Sequence, residues 1–115
     1  MDNAAMAYDE ELAERIRELI APGPELTEQK MFGGLAFLIG GNMAVAASGQ
    51  GGLLVRVGPD EGERLLGDAA QPMVMGGREM VGWLRVTAVD DDEVLREWVE
   101  RGVAYARTLP PKKKK

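Results

Sequence analysis

The chain has 115 residues, with no cysteine and no histidine. That length fits one domain with a core of its own, and the missing residue types exclude disulfides, thiolate nucleophiles, sulfur-ligated zinc and the usual neutral-pH general base. The net charge is −5, but Lys112–Lys115 supply four of the fourteen basic residues, so residues 1–111 hold ten against nineteen acidic groups, a net of −9.

An acidic body repels phosphate backbones, so no direct nucleic-acid binding by the folded part is expected. The first residues lack a basic stretch followed by an apolar one, and no apolar run reaches the ~20 residues of a membrane span. A cytoplasmic protein with no membrane partner is expected. Residues 1–8 read as a flexible N-terminus, 9–109 as a single domain, and 110–115 as a disordered basic tail after Pro110-Pro111.

The first helix is predicted over Asp9–Ala21, capped by Asp9 and stopped by Pro22-Gly23-Pro24, with Leu12, Ile16, Leu19 and Ile20 on one stripe. Three short strands follow: Met31–Ile39, Met43–Ala47 and Leu53–Val57. The turns between them, Gly40-Gly41-Asn42 and Gly49–Gly52, accept positive φ, and connections this short force antiparallel pairing. Gly33-Gly34, inside the first strand, predicts a bulge or a close backbone approach. A second helix is predicted from Pro59 to Leu66, then a hairpin of Met73–Met75 and Met80–Val86. A last helix runs from Asp90 to Thr108, capped by Asp90 with Glu93, and buries Leu95, Trp98, Val99, Gly102 and Ala106. The fold class is α+β: two layers, with an antiparallel sheet and the order α-β-β-β-α-β-β-α.

The chemistry-bearing patterns read as structural. None of the glycine pairs opens a helix, as a phosphate loop requires. Asp90–Glu93 are consecutive acids at a helix start, not the spaced ligands of a calcium loop. Ser48 has no histidine to activate it, and nothing places Lys30 beside it. No catalytic, metal-binding or cofactor-binding residue is assigned, no cofactor is expected, and the chain is read as no enzyme.

Strand parity is more informative. Leu35, Phe37, Ile39, Met43, Val45, Leu53, Val55, Val57, Met80, Leu84 and Val86 share one face, under the three helices. The other face holds Ala36, Leu38, Ala44, Ala46, Leu54, Val81 and Trp83, with Arg56 and Arg85. It is too apolar for a solvated antiparallel face, so either a helix crosses over to cover it or it is an interface. Leu38, Leu54, Arg56, Val81, Trp83 and Arg85 are the candidate interface, for a protein partner or a homodimer.

Lys30-Met31-Phe32-Gly33-Gly34, followed by an apolar strand, a Gly-Gly-Asn turn and two more strands, resembles the N-terminal domain of the TfoX/Sxy proteins. Met80–Val86, the acidic helix start, Trp98 and the Pro-Lys tail are similar too. The resemblance spans about residues 9–113 and implies a stand-alone α+β domain. In longer members this domain precedes a helical one, and some of those proteins regulate competence genes. The resemblance carries over no catalytic residue and leaves the role of the Lys30–Gly34 element open. It implies a non-enzymatic regulatory or protein-interaction domain tied to transcriptional or competence regulation. The alternative is a small-ligand or peptide-binding domain using the second sheet face.

Overall fold

The computed structural model describes residues 10–20, 25–31, 33–49, 51–67, 70–75 and 77–111, with Met75 described by its backbone alone. The expected flexible start, the cap at Asp9, the Pro22–Pro24 stop, Phe32 and the tail from Lys112 lie outside these residues.

In chain order the elements are α1 (Glu10–Leu19), β1 (Leu26–Met31), β2 (Gly34–Ile39), β3 (Asn42–Ala47), β4 (Leu53–Arg56), α2 (Pro59–Arg64), β5 (Gln71–Met75), β6 (Arg78–Val86) and α3 (Asp92–Thr108). The fold is α+β, and the predicted order is present with one strand added. β1 precedes β2 and pairs with it from Leu26↔Ile39 to Met31↔Gly34. All pairings are antiparallel, in the order β1-β2-β3-β4-β6-β5. The two edges differ. β1 exposes Thr27, Glu28, Gln29 and Lys30, whereas β5 contains no charged residue.

Helices α1 and α3 cover one face. Leu12, Ala13 and Ile16 of α1 and Leu95, Trp98, Val99, Val103 and Ala106 of α3 pack on Phe37, Val45, Leu53, Val55, Leu84 and Val86. Phe37 is fully buried, and Arg17 of α1 lies over its ring at 5.9 Å. Gly102 lets α3 approach the sheet closely: a Cβ there would collide with the carbonyl oxygen of Ala44. Asp91, one residue beyond the expected cap, closes the start of α3 by accepting from the amides of Glu93 (2.8 Å) and Val94 (3.4 Å). Asp92 instead pairs with Arg15 of α1 at 2.8 Å, and the Asp90 carbonyl accepts from the same guanidinium at 3.2 Å.

Two ladder irregularities correct the expected faces. Phe37 pairs with Val45 but Leu38 with Met43, so Ala44 is an extra residue in β3. An odd insertion reverses the parity of what precedes it. Ala44 therefore joins the helix-side core, and Met43 joins the second face. In β6, Leu84 pairs with Pro72 and Glu79 with Val74, so residues 80–83 stand opposite Met73 alone. Three extra residues again reverse parity, and Met80 packs on the second face instead of the first. Gly82, at φ +86°, supplies the turn that this needs.

The second face carries its own cluster of Ala36, Leu38, Met43, Ala46, Leu54 and Met73, with Met31, Met80 and Trp83 packed against it. Its covering comes partly from the sheet's own methionines, which reach it from β1, β3, β5 and β6. No helix residue belongs to this cluster among the described residues. Leu65, at the end of α2, packs against the helix-side core, as expected of a covering helix. Helix α2 sits at β6, where Gly62 meets Gly82.

Candidate functional site: the corner of α2, β5 and β6

The corner is assembled by three glycines. A Cβ on Gly82 would stand 2.9 Å from the carbonyl carbon of Gly58, and one on Gly62 would stand 3.1 Å from Cα of Gly82. The end of β4, the start of α2 and the bulged part of β6 thus meet backbone to backbone. The amides of Val57 and Gly58 both donate to the Gly82 carbonyl, at 2.9 and 3.2 Å. The bulge fixed in this way turns Val81 outward, 75% exposed, and leaves Trp83 half-buried.

A groove of about 260 Å³ lies between α2 and β6. Leu66, Val81, Met80 and Trp83 give it apolar walls; Asp60, Glu63 and Glu79 are its charged residues, and among the described residues no lysine or arginine lines it. Leu66, Val74 and Val81 are the large hydrophobic side chains exposed among the described residues; Leu66 and Val81 line the groove, and Val74 is the cross-strand partner of Glu79, which lines it too. Scattered exposed apolar residues need no explanation, but a group beside a concavity marks a contact surface.

The six interface candidates fall into four groups. Leu38 and Leu54 are buried within the single chain, at 8% and 4% exposure, and have little area to offer. Arg56 and Trp83 are cross-strand partners, and Arg56 lies over the rings of both Trp83 (5.3 Å) and Tyr105 (5.6 Å). Arg85 is tied to the β3–β4 turn, donating to the Gly51 carbonyl at 2.7 Å and to Ser48 Oγ at 3.3 Å. Val81 remains as the exposed member. Leu66 and Val74 complete the corner and are absent from the sequence-based set. Their signals are weak: Leu66 lies beside the helix end, and Val74 lies in a five-residue strand.

The Lys30–Gly34 element is the β1–β2 hairpin. Lys30 is exposed, Met31 packs on the second cluster, and Gly33 sits in the turn at φ +73°. Gly34 shows the close approach that the glycine pair predicted, since a Cβ there would collide with the carbonyl oxygen of Ala47. No group of three or more metal-ligating side chains gathers among the described residues. Asp91 is used in the cap, and Asp92, with the backbone carbonyl of Asp90, in the Arg15 contacts. No described helix is long and apolar enough to cross a membrane.

The family model of the TfoX N-terminal domain matches residues 18–106. The chain belongs to this family. The match runs from the end of α1 through nearly all of α3, so it takes in both sheet faces and the whole α2–β5–β6 corner. The TfoX N-terminal domain is not a known enzyme family. No curated protein and no solved structure matches the chain.

Proposed function

We propose that this TfoX N-terminal domain is a non-enzymatic protein-interaction domain of regulatory type, and that it meets its partner through the corner of α2, β5 and β6. The observation that carries this reading is the gathering of Leu66, Val74 and Val81 at one corner, exposed at 44%, 60% and 75%, beside a groove with apolar walls. Family membership supports a place in transcriptional or competence regulation, and a chain without cysteine suits the reducing cytoplasm where that regulation takes place. The interface expected from sequence is thereby narrowed to Val81 and Trp83 and extended to Leu66 and Val74.

A photo-reactive phenylalanine at position 81, with a second protein carrying it at position 28 on the opposite sheet edge, tests the assignment in cells. Irradiation should give a discrete adduct from position 81 and none from position 28. An adduct of twice the chain's own mass identifies the partner as a second copy. Absence of adducts from position 81, or equal yields from both positions, overturns the reading.

A further inference from the structure

The chemistry of the groove narrows the kind of partner, on the premise that this corner is the contact surface. At about 260 Å³ the groove is smaller than the roughly 300–1,000 Å³ of pockets that enclose small-molecule ligands. It suits one bulky side chain entering from a protein. Leu66, Val81 and Trp83 would face that side chain, and the lining carries the exposed Asp60, Glu63 and Glu79 without a compensating cation among the described residues. Three carboxylates with no cation among the lining residues favour cationic neighbours on whatever docks, because complementary charge steers encounter and like charge opposes it. The folded body of a second copy fits this poorly, since residues 1–111 carry a net charge of −9.

We infer that the groove receives a segment of a protein partner in which a bulky aliphatic residue is flanked by lysine or arginine. The aliphatic side chain fills the apolar recess, and the cations lie against Asp60, Glu63 and Glu79. The three glycines of the corner hold the recess open before the partner arrives, so little ordering is required of this chain on binding.

The test uses two end-blocked pentapeptides, each with a central leucine, one with lysines and one with glutamates on either side. Amide spectra of the isotope-labelled chain report where each binds. The lysine peptide should shift Leu66, Glu79, Val81 and Trp83 saturably, and a peptide with glycine in place of the leucine should not. The variant Asp60→Lys/Glu63→Lys/Glu79→Lys should weaken binding about tenfold or more. Reversal of Glu93, Glu97 and Glu100 on the exposed side of α3 should change it by less than about twofold, as expected if the effect is local rather than one of bulk charge. Glu79→Lys alone serves if the triple variant loses its folded spectrum. Equal occupancy by the glutamate peptide overturns the charge inference while leaving the corner a docking surface. An equal loss from the two triple reversals overturns it too. If neither peptide occupies the groove, the inference falls, and an adduct at position 81 then decides whether the surface itself survives.

Discussion

Arg56 and Trp83 face each other across β4 and β6, and the guanidinium carbon of the first lies 5.3 Å from the ring centroid of the second. Tyr105 of α3 presents its ring to the same guanidinium at 5.6 Å. One arginine thus joins the sheet to the last helix. A cation held between two rings and partly desolvated contributes roughly 1–2 kcal/mol. Arg56→Ala should lower unfolding stability by about that much in urea titrations followed by circular dichroism, and Arg56→Lys should recover less than half. An alanine variant as stable as the parent would show the stack to be incidental.

Gly102 gives a test of opposite sign from helix propensity. In an exposed helix, Gly→Ala gains roughly 1 kcal/mol. Here the added methyl would collide with the Ala44 carbonyl oxygen, on backbone that cannot swing aside. Gly102→Ala should therefore cost about 1–3 kcal/mol, the range for overpacking, and lower the melting temperature. Gly67→Ala would place its methyl with no atom within 4 Å, and should melt close to the parent. A Gly102→Ala protein that melts at or above the parent's temperature contradicts the packing of α3 on β3.

Trp98 belongs to the helix-side core at 6% exposure, with Arg101 lying 4.7 Å over its ring. Trp98→Ala should cost about 3–5 kcal/mol, as large buried aromatics do. Arg101→Ala should cost well under half as much, because the arginine is exposed. Equal losses in thermal melts would mean that the cation, and not the ring's burial, holds this end of α3.

Glu28 and Arg17 connect the exposed β1 to α1 by a bidentate pair, at 2.6 and 2.8 Å. The hydrogen bond from Arg17 holds the Glu28 carboxyl below its ordinary range against the opposing effect of burial. A carboxyl depressed in the folded state stabilises fully above its unfolded pKa and loses that contribution as pH falls through the folded value. Glu28→Gln should cost roughly 0.2–1 kcal/mol near neutral pH, since both side chains are about a third exposed. The gap between parent and variant should close on acidification below the carboxylate range. A gap independent of pH would assign the loss to packing.

Much of the fold is legible because its turns are spelled in glycine. Gly40-Gly41 and Gly49–Gly52 delimit β3, and the stripe of Leu95, Trp98, Val99 and Gly102 identifies the buried side of α3. β1 is not legible: Thr27–Lys30 are all polar and exposed, as an unburied edge strand allows, so no alternation marks it. The two bulges account for the misplaced methionines. Nothing in Met43-Ala44-Val45 announces an extra residue, whereas Gly82, a lone glycine inside a strand, is an available signal for the second. The corner is hidden for the same reason, because strict alternation through Gly82 gives Val81 and Trp83 one common face and leaves no groove between them and α2.

The unequal edges of the sheet also govern how copies of this chain can accumulate. Open-ended fibre growth by strand addition needs two receptive edges on every copy, one to give and one to take. β1 sets the charges of Glu28 and Lys30 along one edge, and the cost of desolvating them makes it a poor template. Two copies joined at β5 would therefore leave a charged β1 at each outer end. Growth by this route stops after a single step, so the composition of one short strand sets a ceiling on polymerisation while its counterpart stays available.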